Sequence, residues 1–173
     1  MNYTTVPSEV YFLKMEEKPT LRENNIENTS LIEIAKPIDI SWYRELYSEV
    51  GKNFNWLDRL FMDDAELYSK INSSKTHIYT LNIKQKHAGY CELVEEGDHV
   101  EILYFGLLPD FIGKGYGKYF LNKTIELAWR FSPKHIQLNT CDMDHPNAIH
   151  NYKKAGFVLY KTVTEMKKVL VSE

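Results

Sequence analysis

Three glycines at alternate positions, Gly113, Gly115 and Gly117, separate a segment with the composition of a strand from one with the periodicity of a helix. Residues 100–108 are mostly apolar, and apolar residues recur at helical spacing over residues 117–131. Glycine lets the backbone turn tightly and direct bare N–H groups at one point, and the start of a helix adds the positive end of its dipole. The segment therefore predicts a seat for a phosphate group.

Two common classes of phosphate-binding loop do not match this segment. A P-loop needs a lysine followed by serine or threonine after its last glycine, whereas Lys118 and Tyr119 follow Gly117 here. A dinucleotide-binding loop normally follows the first strand of a parallel sheet, whereas this loop follows three strand patterns joined by short turns over residues 77–108. Such strands form an antiparallel meander. The remaining interpretation is a pyrophosphate held by backbone N–H groups without a metal ion.

The hydrophobic pattern of the chain predicts an α/β fold of the α+β type, with a mixed and mostly antiparallel sheet. Strand patterns occur at residues 10–13, 31–35, 77–83, 88–94, 100–108, 136–140 and 157–166. Helix patterns occur at residues 39–50, 63–71, 117–131 and 146–155. The strand, loop, helix and strand around the glycines form a crossover unit, which makes its two strands parallel. Residues 1–30 indicate an N-terminal strand and a polar connection.

Length and composition set the class of protein. The chain has 173 residues, 43% of them hydrophobic, and a formal net charge of −3, so we expect one domain over residues 1–173 with a single sizeable core. A chain without excess positive charge does not attract the negatively charged phosphates of nucleic acid. No apolar run approaches the roughly 20 residues that a membrane helix needs, and the first residues lack the pattern of an export signal. We therefore expect neither nucleic acid nor membrane as a partner.

The cysteines and histidines indicate reduced thiols and no metal. Cys91 and Cys141 lie in predicted strands without the spacing of a redox or zinc motif, which favours free thiols and a cytoplasmic location. The six histidines offer no HExxH or Cys/His ligand spacing. We therefore expect no metal site.

Two motifs lie in the last two thirds of the chain. Residues 112–117 follow the pattern Gln/Arg-x-x-Gly-x-Gly/Ala apart from the first residue, Ile112. Ala148, Tyr152 and the Gly-Phe pair at 156–157 follow the pattern Asn-x-x-Ala, then Tyr, then Gly-Phe, with His145 in the place of Asn. With both motifs the last two thirds of the chain resembles the GNAT superfamily of acyl-CoA-dependent N-acetyltransferases. The resemblance implies a single-domain GNAT fold, in which a splayed parallel strand pair is flanked by about four helices.

Three further segments look like one bacterial GNAT subgroup whose acceptor is unassigned. They are Trp-Leu-Asp-Arg at residues 56–59, Phe-Gly-Leu-Leu-Pro at 105–109 and Thr-Cys-Asp-Met-Asp-His-Pro at 140–146. The resemblance therefore leaves the acceptor open.

The resemblance implies that acetyl-CoA lies in a wedge where the strands ending near Leu108 and Thr140 splay apart. Ile112 supplies no polar side chain to the diphosphate, so we expect the loop to act mainly through its backbone N–H groups. Lys114 and Lys118 are either partners of the CoA phosphates or ordinary solvated lysines. The expected CoA-binding residues are Phe105, Leu107, Ile112, Gly113, Lys114, Gly115, Tyr116, Gly117 and Lys118.

Direct attack of an amine on a thioester requires a base for the ammonium proton and an acid for the departing thiolate. The resemblance implies Tyr152 as the acid, the alternative being a core aromatic on an amphipathic helix. Glu101, where several family members keep a carboxylate that acts through water, is the first candidate for the base. A solvated strand residue explains Glu101 equally well. Glu92 and Asp142 are the other candidates.

Acceptor recognition in this family usually falls to the first two helices and their connection. The residues there that we expect to contact the acceptor are Trp42, Tyr43, Trp56 and Arg59, with Glu92 and Asp142 beside them. Aromatic rings can hold an amine, and Arg59 can bind a carboxylate through two hydrogen bonds. Core packing and a surface ion pair explain the same residues without a substrate.

Three functional hypotheses follow from these residues. The first is an enzyme that transfers acetyl from acetyl-CoA to a primary amine of a small molecule, peptide or protein. The second is a sensor or partner module that binds acyl-CoA with little catalysis, and the third is an enzyme that uses a longer acyl-CoA. The sequence leaves the oligomeric state open, and for a homodimer we expect residues 11–13 of the first strand to pair at the interface.

Overall fold

The computed structural model describes residues 2–20 and 25–171, and residues 21–24 of the predicted polar connection lie outside the described residues. Within these ranges seven strands form one sheet. In chain order they are β1 (Tyr3–Met15), β2 (Thr29–Glu33), β3 (Thr76–Ile83), β4 (Lys86–Glu96), β5 (His99–Leu107), β6 (His135–Cys141) and β7 (Val158–Leu170). Each predicted strand is therefore present, and the α/β fold class with its mixed sheet is confirmed.

The described part of the chain also contains five α-helices. They are α1 (Ile40–Gly51), α2 (Asp58–Phe61), α3 (Asp64–Ile71), α4 (Tyr116–Trp129) and α5 (Ala148–Lys154). Asp39 begins α1 by accepting a hydrogen bond from the backbone N–H of Trp42 at 2.9 Å, and Asp63 begins α3 in the same way. The short α2 lies in the connection between the first two predicted helices. Leu57, which directly precedes α2, and Arg59 within it are buried and anchor the helix against the core.

The strands of the sheet follow the order β2-β3-β4-β5-β6-β1-β7. All neighbours are antiparallel except β5 and β6, which are parallel as the crossover predicts. That parallel pairing covers only four residues of each strand, from His99 to Ile102 and from His135 to Leu138. On the other side of β5, Leu103 is an extra residue in the pairing with β4, a β-bulge that bends the strand. β5 therefore leaves β6 just after Ile102.

The first strand is longer than predicted and lies inside the sheet. β1 pairs with β6 through residues 10–15 and with β7 along almost its whole length. Tyr11, Phe12 and Leu13 are paired on both sides, so their backbone groups are already used within the chain. The prediction that residues 11–13 pair across a dimer interface is therefore wrong.

Two apolar clusters cover the two faces of the sheet. Leu81 and Leu93 pack with Phe120 of α4 in one cluster, while Ile78 and Tyr90 belong to the other, with α1 and α3. Successive residues of a strand point to opposite faces, so the helices form layers on both sides of the sheet. Within residues 2–20 and 25–171 no helix is long and apolar enough to cross a membrane.

The position of β1 leads to a test by mutation. Leu13 is fully buried between β6 and β7, so Leu13→Ala should lower the free energy of unfolding by about 2–5 kcal/mol through lost contacts and a new cavity. Urea denaturation measures this change. Thr5→Ala, at an exposed site of the same strand, is the control and should have little effect. Equal stability of the two variants would contradict the interior position of β1.

Candidate functional site

A cavity of about 590 Å³ lies where β5 and β6 diverge. β5 lines it from Ile102 to Leu107, and Leu138, Asn139 and Cys141 of β6 line the other side. The glycine segment and the start of α4 border the cavity as well, and so does Tyr152 of α5. The divergence of the two strands thus opens the middle of the sheet.

The glycine segment has the backbone conformation that its sequence predicts. Gly113 and Gly115 have φ angles of 77° and 86°, which residues with a side chain rarely adopt, and a Cβ atom at either position would meet nothing within 4 Å. Gly115 begins α4 without a side chain to accept from the N–H groups of the first turn, which leaves those groups to an anion. Gly113 and Gly117 line the cavity. The loop therefore fits a pyrophosphate.

The other residues expected to bind CoA lie on or beside the same wall. Phe105, Leu107 and Ile112 line the cavity, and beyond Ile102 the edge of β5 that faces β6 is free of strand pairing. Lys114 and Lys118 are exposed on the glycine segment, with the ammonium of Lys114 lying 6.0 Å from the ring centre of Phe111.

Tyr152 lines the cavity. It is half-buried, and its ring meets those of Phe105 and Phe157 edge-on at 6.3 and 6.2 Å. Burial raises the pKa of Tyr152, and the Asp144 carboxylate raises it further. The hydroxyl therefore keeps its proton at neutral pH and can donate it.

The structure brings Asp144, which the sequence analysis did not select, into the cavity wall. Its carboxylate accepts hydrogen bonds from the indole N–H of Trp56 at 3.1 Å, the hydroxyl of Thr140 at 2.8 Å and the backbone N–H of Cys141 at 3.0 Å. Asp144 thus ties the segment after α1 to the end of β6. The segment at 140–146 contains two acidic residues, Asp142 and Asp144, and the sequence pattern alone could not show which of them lies in the cavity wall.

Asp142 lies away from the cavity. Its exposed carboxylate accepts a hydrogen bond from the hydroxyl of Ser8 at 2.5 Å, and this bond lowers the pKa of Asp142. Its backbone N–H donates to the carbonyl of Glu9. Asp142 therefore links β1 to the residues that directly follow β6.

Glu101 lies on the paired part of β5, before the strands diverge. Its partners are Val94 of β4 and Gln137 of β6, and it is not among the described residues that line the cavity. Burial raises the pKa of Glu101, and the nearby Glu96 carboxylate raises it further, while His99 opposes the rise. The side chain is half-buried.

Glu92 forms a buried ion pair with Arg59 beneath the first helices. Its carboxylate accepts from the Arg59 guanidinium at 2.8 Å and from the Tyr43 hydroxyl at 2.5 Å. Burial raises the pKa of Glu92, while Arg59 and Tyr43 act in the opposite direction. Arg59 is thus committed to an internal partner, and Trp42 packs against the adjoining apolar cluster.

Trp56 is held firmly at one end of the cavity. Its ring packs against those of Tyr47 and Tyr104, with centres 5.7 and 5.3 Å away. A Cβ atom at Gly51 would lie 2.3 Å from the Cβ of Trp56, so only glycine allows this close approach. Of the four residues expected to contact the acceptor, Trp56 lines the cavity.

A second, shallower cavity of about 510 Å³ adjoins the first. It is lined by residues of α2, among them Arg59, by Glu66 and Lys70 of α3, and by Lys168 of β7. Asp58, Leu103 and Tyr104 line both cavities, so the bulged part of β5 forms the partition between them.

The two cysteines are free thiols, with Cys91 buried and Cys141 half-buried. Over the described ranges no group of three or more His, Cys, Asp or Glu side chains is arranged to hold a metal ion.

A family model described as acetyltransferase (GNAT) family matches residues 39–157 of this chain. The chain therefore belongs to the GNAT family of acetyltransferases. The match includes α1, the meander, the glycine segment and α5. Among curated protein sequences, none matches the chain at a significant level.

Solved structures share the fold at low sequence identity. A GCN5-related N-acetyltransferase from Sphaerobacter thermophilus superposes with a TM-score of 0.68 at 13% identity, covering 96% of this chain and 52% of its own. An aminoglycoside acetyltransferase from an uncultured soil metagenomic sample has a TM-score of 0.58 at 13% identity, covering 75% and 88%. An Escherichia coli N-acetyltransferase named for an alanine of a ribosomal protein has a TM-score of 0.60 at 11% identity, covering 84% and 96%.

The chain spans from about half to two thirds of the length of the first three similar structures, with values of 52%, 62% and 66%. At 12–16% identity these similarities show the GNAT fold alone.

The buried ion pair makes a prediction about stability. Glu92→Gln leaves the Arg59 charge buried without its partner, so the free energy of unfolding should fall by about 3–5 kcal/mol. Urea denaturation measures the loss. Glu66→Gln breaks the exposed pair with Lys70 and should cost less than about 1 kcal/mol. Similar losses in both variants would show that Glu92 is not desolvated as the structure indicates.

Proposed function

We propose that this chain transfers an acetyl group from acetyl-CoA to a primary amine of a small molecule, peptide or protein by direct attack. The observation that carries the proposal is the cavity between β5 and β6, with a glycine loop suited to pyrophosphate at its border and Tyr152 lining its wall. Membership of the GNAT family supports the same reaction class. The named acceptors of two similar structures, an aminoglycoside and a ribosomal-protein alanine, support both small and protein acceptors.

The proposed donor site uses backbone more than side chains. Phe105 and Leu107 present unpaired edge groups to the pantetheine, and the N–H groups of Gly113, Gly115 and Gly117 receive the pyrophosphate. Lys114 and Lys118 add positive charge beside the loop. Because Ile112 has no polar group, the glycine conformation carries most of this binding.

Tyr152 is the proposed general acid. When the amine nitrogen attacks the thioester carbonyl carbon, the C–N bond forms, the C–S bond breaks, and the departing thiolate needs a proton. The hydroxyl of Tyr152 is protonated at neutral pH because burial and the Asp144 charge raise its pKa. It can therefore supply that proton and regain one from the new ammonium centre.

Glu101 is the base that the family resemblance implies. Burial moves the pKa of the Glu101 carboxyl upward, toward neutral pH, and a general base works best when its pKa lies near the working pH. Because it does not line the cavity, its proton would have to pass through water. Glu92 is engaged by Arg59 and Tyr43, and Asp142 by Ser8, which makes both weaker candidates.

The proposal is tested by binding and turnover together. Calorimetry should show that the chain binds acetyl-CoA and that Gly113→Glu abolishes binding, because the new carboxylate repels the diphosphate within the cavity. Gly113→Ala is the matched control, since it shares the unfavourable φ angle but adds no charge and meets nothing within 4 Å. A thiol assay over a panel of primary amines should then show amine-dependent release of CoA. Tight binding without such release would favour the sensor hypothesis instead.

The role of Tyr152 is tested in the same assay. Tyr152→Phe should lower turnover by ~10²-fold, a typical loss for removal of a general acid, and leave the affinity for acetyl-CoA unchanged. Tyr160→Phe, at an exposed position of β7, removes an equivalent hydroxyl away from the cavity and should keep full turnover. Unchanged turnover in Tyr152→Phe would remove this residue from the mechanism.

A further inference from the structure

The carboxylates near the site differ in whether they already bind other groups of the chain. Glu92 accepts from Arg59 and Tyr43, and Asp144 accepts from three donors of the cavity wall. Asp142 is bound to Ser8, and Glu101 lies on the paired part of β5. None of these four has a free carboxylate inside the site.

Asp58 differs from them in position and in partners. It begins α2, is exposed, and among the described residues is the one carboxylate that lines both cavities. The neighbouring ion pairs join Arg59 to Glu92 and Arg44 to Asp64, and neither engages Asp58. Its negative charge is thus available to a ligand that passes between the cavities.

The partition beside Asp58 contains an aromatic ring that packs against its neighbours. Tyr104 packs edge-on against Tyr47 at 5.0 Å and lies under the Arg59 guanidinium at 5.5 Å. Burial raises the pKa of Tyr104 to about 12, with Arg59 and Tyr47 opposing the rise and the Glu92 and Asp58 charges adding to it. Asp58 lines both cavities together with Tyr104, so its carboxylate borders the same space as this ring.

We propose that Asp58 binds the ammonium group of the acceptor at the junction of the two cavities and takes its first proton. This inference rests on the proposed function and names the acceptor class, a primary amine that is cationic at neutral pH. An ion pair with Asp58 directs the nitrogen toward the fork between β5 and β6. The rings of Trp56 and Tyr104 cover the carbon atoms next to it.

The proton balance is complete with these residues. One proton passes from the ammonium to the Asp58 carboxylate and then to solvent, which leaves a neutral amine. The nitrogen attacks the carbonyl carbon, the C–S bond breaks, and Tyr152 protonates the thiolate. Tyr152 then regains the second nitrogen-bound proton as the amide forms. Asp58 therefore takes the role of base that the family resemblance assigns to Glu101.

Two amines of different basicity test the proposal. Tyramine is an aromatic primary amine that is cationic at neutral pH, whereas hydroxylamine is uncharged there and needs neither an ion pair nor a base. Asp58→Asn should lower kcat/KM for tyramine by ~10²-fold and leave the rate with hydroxylamine nearly unchanged, after subtraction of the enzyme-free reaction. Glu49→Gln, which removes an exposed carboxylate of α1 outside both cavities, should change neither rate.

Three results would overturn the inference, and they are distinguishable from failure of the proposed function. These are equal losses for both amines in Asp58→Asn, no loss for tyramine, or a tyramine-specific loss in Glu101→Gln instead. Calorimetry should show unchanged acetyl-CoA affinity in Asp58→Asn, which separates an acceptor defect from a folding or donor defect. If the unsubstituted protein releases no CoA with any amine of the panel, the proposed function fails, and the inference fails with it.

Discussion

The site depends on the short length of the parallel pairing between β5 and β6. Four residues of each strand are paired, and the bulge at Leu103 then bends β5 away. A continuous ladder would leave no space in the middle of the sheet, because every edge group would have a partner. Divergence creates both the cavity and a row of free backbone groups on β5, and the glycine loop follows directly at the end of that strand.

Local signals in the sequence predicted most of this arrangement. The meander, the parallel crossover and the glycine conformation each depend on residues close together in the chain, where periodicity and backbone preference are informative. Asp39 and Asp63, the first residues of two predicted helix ranges, each cap the helix that directly follows. Tyr152 was placed by family resemblance, and the structure puts it in the cavity wall.

The sequence patterns could not predict contacts between segments that lie far apart in the chain. Asp142 and Asp144 both follow β6, and only the turn after Cys141 sends one to Ser8 and the other to Trp56. Arg59 was expected to hold a substrate carboxylate, but its side chain reaches Glu92 on a strand 33 residues away. The interior place of β1 likewise depends on pairing that no local pattern encodes.

The pairing of β1 with β7 has a consequence for how the chain acquires its structure. Tyr3 lies opposite Leu170, so the ladder with the most extensive contacts joins segments separated by nearly the whole described chain. Closing so large a loop costs entropy before any contact rewards it, and proteins rich in such contacts fold slowly. β1 cannot gain its second neighbour until β7 has been synthesised. The meander and the crossover, whose partners are near in sequence, are therefore expected to fold before the sheet is completed.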